Sequence, residues 1–352
     1  MVAVVLSAAP RFCFSFGEPF HGFQMTKRKV KMKAKGLRFL GAVVGVMLAG
    51  AAFAEPRVEI TKAYQNTVGS DVVDITYTIS GIPSGEPYFL YITVGAKGRE
   101  SAECCVEGIK SVANGTATAH IDVKALLGGD ACPKLNFFAE LRNELKADSV
   151  QLWANGPYWA TCNVGATKPE EYGYYFWWGD TVGYERNSRN DGWVSVKDGT
   201  SFWLSWTTSA GQTYEKNADQ LQSAGFTDTS GGNLNWAHDA ARAHLGGSWR
   251  MPTGDEIQAL VDNCTTTWTT RNGVYGRLVT GKGDYASKSI FLPAAGYGAG
   301  SGIFNSEKGN YWSSSPDSRP DYAWELEFSS SNFRRNNNNG LRYRGYLVRP
   351  VR

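Results

Sequence analysis

The stretch that most limits what this chain can become is Trp324-Glu-Leu-Glu-Phe328, in which three apolar side chains alternate with Glu325 and Glu327. Successive side chains of a strand point to opposite faces, so the pattern predicts a strand with one buried face and one wet face. Such a strand needs neighbours. Tyr346 to Val351 supplies a second strand candidate, with Pro350 tolerable at an edge or a strand end. Between them Ser329 to Gly340 is rich in Ser and Asn and carries Arg334 and Arg335, too polar to bury a core of its own. It reads as a solvent-facing loop held by flanking strands, a place where binding residues usually sit.

With 352 residues the chain has room for two domains after a leader. Its 40 Gly, 12 Trp, 17 Tyr and 17 Phe favour a turn-rich, strand-rich architecture. The formal charge of +3 is concentrated at the start: residues 1–54 hold eight Lys and Arg against one acid, Glu18, which leaves the rest at about −4. A basic body for nucleic acid is therefore disfavoured, and the Arg-rich tail reads as a solvated face.

Lys27 to Lys35 is a basic run. Phe39 to Gly50 is a short apolar run, and Ala52-Phe-Ala54 offers small residues for cleavage, so residues 1–54 predict a leader with a signal peptide, the true start being Met25 or Met32. No apolar run past the leader is long enough to span a membrane. The expected mature protein is exported, to the cell surface, the periplasm or the medium.

Residues 55–148 carry strand-like runs at Arg57–Thr61, Val72–Ile79, Tyr88–Val94, Thr116–Ile121 and Lys134–Leu141, separated by Gly, Ser, Pro and Asn turns. That spacing predicts a small all-β, immunoglobulin-like sandwich. Export permits disulfides, and Cys104 or Cys105 with Cys132 is one candidate pair.

In residues 149–352 a helix is expected over Leu234–Leu245, with Trp236, Ala240 and Ala243 near one face and Gly246-Gly247 as its stop. Thr253-Gly-Asp-Glu256 fits a capping box and predicts a helix over Gly254–Asn263. Asp255 and Glu256 then belong to a helix start rather than to an acid–base pair. His238 and His244, six apart, are not spaced for one metal. Helices among short strands and long loops make the expected class α+β.

The motifs Trp159–Ala166, Tyr172–Thr181, Gly247–Thr253, Ser289–Tyr297, Asn310–Ser315 and Val348–Val351 follow in this order. Together they resemble the Fibrobacter succinogenes major paralogous domain family of exported bacterial proteins, over residues 153–352. The resemblance implies a C-type-lectin-like fold, which also carries formylglycine-generating enzymes and variable receptor-binding proteins of phages. The sugar-binding Glu-Pro-Asn or Gln-Pro-Asp and Trp-Asn-Asp patterns of such lectins are absent, and no Cys follows Cys264 to serve as the late active-site thiol of the enzymes. Calcium is kept open as a ligand of Asn190-Asp-Gly192 or Asp317 to Asp321 without being predicted. Cys162 and Cys264 form a second disulfide candidate, or two buried thiols.

What remains is recognition. Tyr311, Trp312, Tyr322, Asn332, Phe333, Arg334, Arg335, Asn336, Asn337, Asn338, Asn339, Arg342 and Tyr343 combine aromatics, Arg and Asn in the manner of adaptable binding surfaces. The expectation is thus an exported, non-enzymatic protein that binds a glycan or a surface protein through residues 149–352. Its alternatives are a carbohydrate-active or formylglycine-generating-like enzyme, or a structural envelope protein.

Overall fold

The computed structural model describes residues 4–7, 14–15, 55–65, 70–96, 100–108, 110–128, 135–187 and 192–352. The chain divides into two units, the first formed by 1–83, 92–104 and 114–140 and the second by 84–91, 105–113 and 141–352. The basic and apolar runs of the expected signal peptide, the cleavage site, and Cys132 all lie outside the described residues.

The strands of the first unit are β1 (Val4–Ser7), β2 (Phe14–Ser15), β3 (Arg57–Gln65), β4 (Val72–Ser80), β5 (Phe89–Ala96), β6 (Ala102–Cys105), β7 (Gly115–Asp122) and β8 (Leu135–Arg142), β5, β6 and β8 running past the unit boundary. They form two four-stranded sheets, ordered β1-β3-β4-β7 and β2-β8-β5-β6. Alternation explains the burial. Val58 and Ile60 of β3, and Ile75, Tyr77 and Ile79 of β4, are buried, while Thr76 and Thr78 bond Thr118 and Thr116 across the other face. A short helix, α1 (Val123–Leu127), follows β7 and is capped by the Asp122 carboxylate on the Ala125 N–H.

The second unit continues with β9 (Ser149–Gln151), β10 (Tyr158–Ala160), β11 (Tyr184–Asn187), β12 (Gly192–Ser195), β13 (Ser201–Phe202), α2 (Ala218–Ser223), α3 (Ala240–Leu245), α4 (Gly254–Asn263), β14 (Thr265–Arg271), β15 (Val274–Thr280), β16 (Ser289–Pro293), β17 (Tyr297–Ala299), β18 (Gly302–Phe304), β19 (Gly309–Pro316), β20 (Ala323–Phe328) and β21 (Phe333–Asn336). All its sheets are small: β10-β9, β11-β12-β13, β14-β15-β16, β17-β18 and β19-β20-β21. Strands take 43% of the described residues and helices 13%, which corrects the α+β expectation to a mainly-β protein with many small antiparallel sheets. The helices predicted from capping signals are present but short, too few to form a layer of their own.

Aromatics hold this unit together. Trp159, Trp178, Trp193, Trp249 and Trp312 are fully buried. Trp178 Nε1 donates to the Ser313 carbonyl (2.9 Å), Trp312 Nε1 donates to the Phe176 carbonyl (2.8 Å), and the Trp312 ring stacks on Tyr346 at 4.1 Å. Trp178 and Trp312 thus fill volume and satisfy their one donor, whereas the buried Nε1 groups of Trp159, Trp193 and Trp249 have no hydrogen-bond partner among the described residues and these rings serve by packing alone. Truncating such a residue costs about 3–5 kcal/mol.

Two local expectations change. Tyr346–Val351 forms no ladder; isolated bridges join Tyr346 to Phe176, Leu347 to Tyr311, and Val351 to both Trp159 and Arg250. Its side chains are buried, and Arg349 donates to Asn163 Oδ1 (2.8 Å) and to the Ala160 (3.0 Å) and Phe291 (2.9 Å) carbonyls. The alternation at 324–328 is also not the division between core and water: Glu325 is 0% and Glu327 1% exposed, whereas Trp324 is half-buried. The cause is that the Glu face is covered by side chains of the neighbouring strands and the following loop: Asn310 of β19, Asn336 of β21 and Asn339 bond the two carboxylates.

Candidate functional site

The Asn and Arg residues proposed from sequence as a binding surface converge on that buried pair. Asn310 and Asn336 donate to Glu325 (2.9 and 3.1 Å). Glu327 accepts from Asn332 (3.3 Å), Asn336 (3.2 Å), Asn339 (2.8 Å) and Arg334 (3.1 Å). Burial pushes the Glu325 carboxyl up to about 7, against its amide hydrogen bonds, with Glu327 adding to the rise. Burial also works against ionisation of Glu327, but Asn339 and Arg334 outweigh it and hold that carboxyl below its usual range. A buried carboxylate needs donors, and this loop supplies them.

The other candidate residues are distributed as follows. Tyr311, Trp312 and Arg342 are buried, Tyr311 donating to the Pro293 carbonyl (2.8 Å) and Arg342 to the carbonyls of Tyr322, Thr213 and Lys216. Tyr322 is half-buried under the Arg319 guanidinium, Phe333 lies against Phe328, and Tyr343 meets Tyr214 edge-on. Arg335 covers the Trp324 ring at 4.3 Å and pairs with Asp255, and Asn337 donates to Asp317 (2.8 Å). Asn338 stands exposed at the turn. The basic tail is likewise spent internally: Arg344 donates to the Asn339 carbonyl and Arg352 pairs with Glu144.

Cys162 and Cys264 are separate thiols, the second of the two alternatives left open by the sequence, each pushed up in pKa by burial. Cys104 is also a thiol, and Cys105 Sγ donates to the Gly108 carbonyl (2.8 Å). Of the calcium candidates, Asp317 accepts from Arg319 and Asn337, and residues 190 and 191 lie outside the described residues. His244 is bonded to the Thr181 carbonyl (3.1 Å), and burial pushes its pKa down to about 4.

The second unit does contain a cavity of about 340 Å³, elsewhere than the sequence suggested. Its wall runs from Asp228 to Trp236, across Arg250, Met251 and Thr253, to Ser314 of β19. Backbone bonds tie these segments together: Leu234 N–H donates to the Ser314 carbonyl (2.8 Å) and Ser314 N–H to the Pro252 carbonyl (2.8 Å). The Ser315 hydroxyl then accepts from Gly254 N–H (2.9 Å) and donates to Asn233 Oδ1 (2.6 Å).

Trp236 stands at the cleft with 57% of its surface exposed. The sequence placed it within a helix, on one face with Ala240 and Ala243, but Asp239 caps Arg242 N–H (2.9 Å), so α3 begins after it and Trp236 falls in a 3-10 turn. The Arg242 guanidinium covers its ring at 4.8 Å. Two of the charged wall residues are engaged: Arg250 makes two bonds to Glu256 (2.7 and 2.6 Å), and Asp239 accepts from Arg242 and Met251 N–H groups. Burial nevertheless pushes Asp239 up to about 6. Glu256 also closes the predicted capping box by accepting from Thr253 N–H (2.9 Å). Asn235 donates to the Gly225 carbonyl (2.8 Å) and to Asp228 (3.3 Å).

The protein is mainly β, and the cleft has a volume within the usual range of small-molecule pockets, roughly 300–1,000 Å³. Residues 195–352 match the model of the Lcl C-terminal domain family, a stretch that includes the whole cleft. The match is consistent with a paralogous-domain family and points to a protein of the surface or binding type. No curated protein and no solved structure matches the chain.

Proposed function

We propose that this chain is an exported binding protein without catalytic activity, working at the cell surface, in the periplasm or outside the cell, and that its second unit takes a glycan or protein ligand in the cleft at 228–253. The carrying observation is that Trp236 stands exposed at a cavity where Arg250 and Asp239 are engaged with Glu256 and with backbone N–H groups. Among the described residues this leaves Asp228 as a lone wall carboxylate with one oxygen free and no second titratable group beside it to share acid–base work. Engaged groups of that kind shape and orient a site; a general acid or base must reach a substrate proton instead. The Asn-rich segment 329–343 then serves as the support of the buried carboxylates rather than as the contact surface.

The test immobilises the full mature chain and screens glycans and cell-surface proteins, with Trp236→Ala and Asn338→Ala in parallel. Loss of capture in the first variant alone supports the reading. Loss in the second alone returns the site to the C-terminal turn and refutes it. The structural envelope alternative draws on Trp203, Trp206 and Phe304, each about half exposed, and predicts self-association that fails when they are changed to Ser.

A further inference from the structure

The chemistry of the cleft narrows the ligand, and this step rests on the binding reading above. Charge comes first. Arg250, the cation of the wall, is held in a two-pronged bond to Glu256. Arg242 lies over the Trp236 ring and within 3.5 Å of Glu86. Asp239 is buried and bonded to two backbone N–H groups. Among the described residues, therefore, no cation of the cleft wall is left to meet a sulfate, phosphate or carboxylate, and a bound anion would remain uncompensated.

The remaining polar capacity is that of amides and hydroxyl-accepting oxygens. Asn233 is exposed and has its carbonyl oxygen occupied by Ser315, which leaves its NH₂ as donor. Asp228 is exposed and accepts from Asn235 through one oxygen, which leaves the second as acceptor. Thr229 adds an exposed hydroxyl. Beside these stands an indole with Arg242 over its ring, exposed along the cleft. One donor, one acceptor and a hydroxyl beside a flat aromatic suit a ring with C–H groups on one face and hydroxyls round its edge. A cavity of about 340 Å³ has room for one or two such rings.

We infer that the cleft is a subsite for an uncharged saccharide, one pyranose face lying on Trp236 and its hydroxyls bonded by Asn233 and Asp228.

The experiment titrates the full chain by calorimetry with neutral di- and trisaccharides of gluco, manno, galacto, xylo and N-acetylglucosamine type. Galacturonate oligomers and heparin serve as anionic probes. The expected result is saturable binding of at least one neutral series, weakened about tenfold by Trp236→Ala and severalfold by Asn233→Ala or Asp228→Ala. Because all three residues are exposed, circular dichroism should be unchanged, and Trp236→Phe should retain part of the affinity. No binding by any neutral series up to millimolar concentration overturns the saccharide inference. If anionic glycans or a protein bind instead and Trp236→Ala abolishes that, the saccharide inference fails while the binding reading stands. If a ligand is held equally by the wild type and by Trp236→Ala, both fail.

Discussion

Two polar regions of the second unit look alike in sequence and differ in the fold. The segment around 325–339 and the segment around 228–253 both combine Asn, acidic residues, Arg and Trp. In the first, amides of Asn310, Asn332, Asn336 and Asn339 are turned inward on two carboxylates that are essentially inaccessible. In the second, Asn233, Asp228 and Trp236 keep exposed surface beside a cavity. Composition reports which groups are available; only topology decides whether they are consumed by the fold or left for a partner.

The contrast breaks most visibly at Glu327. Glu327→Ala should leave the Asn339 amide and the inner part of the Arg334 contact without an acceptor, and destabilise the protein by about 3 kcal/mol. A fall in the urea midpoint with unchanged slope would register this; a change below about 0.5 kcal/mol would show that the network is dispensable. Glu325→Gln should act in the opposite direction. Burial raises the Glu325 pKa from 4.5 to about 7, so between those values the native state holds a proton that the unfolded chain has released. Its contribution is therefore fully favourable below 4.5, is lost as pH rises through 7, and stays lost above. Gln cannot ionise. With the Asn310 amide turned over, its Oδ1, which has no hydrogen-bond partner, can accept from the new NH₂. The variant should gain on the order of 2 kcal/mol at pH 8 and nothing at pH 4. Asp180 and Asp239, both raised to about 6, and His244, lowered to about 4, titrate in both proteins, so the difference between the two pH profiles isolates Glu325.

These residues also mark how far the sequence could be read. The strands of the first unit, from Arg57 to Leu141, were legible because period-two burial and Gly, Ser and Asn turns are local signals. The helix at Gly254–Asn263 was legible to the residue because the Thr253–Glu256 reciprocal bond is encoded three positions apart. Glu325 and Glu327 misled because alternation says that two faces differ, not that one is wet; the donors from Asn310, fifteen residues away, and Asn339 appear only once three strands pair. Helix was expected from 234 because the apolar spacing continued. Asp239, an available cap, was the signal that placed the start later and left Trp236 outside. The cleft joins residues from 228 to 314 through backbone bonds that leave no periodic trace in the sequence.

The smaller effects sharpen the comparison from the side of the cleft. Thr253→Ala removes the acceptor of the Glu256 N–H (3.1 Å) while Arg250 still holds the Glu256 carboxylate, so stability should fall by about 1 kcal/mol. Trp236→Ala should change the urea midpoint least of all. The ring is 57% exposed and its principal partner is the Arg242 guanidinium, a surface cation–π contact of about 0.5–1 kcal/mol whose loss is partly offset by rehydration of the freed guanidinium. A loss below about 0.5 kcal/mol together with lost ligand capture would separate a residue kept for a partner from one kept for the fold. A loss approaching that of Glu327→Ala would place Trp236 among the structural aromatics and erase the distinction between the two regions.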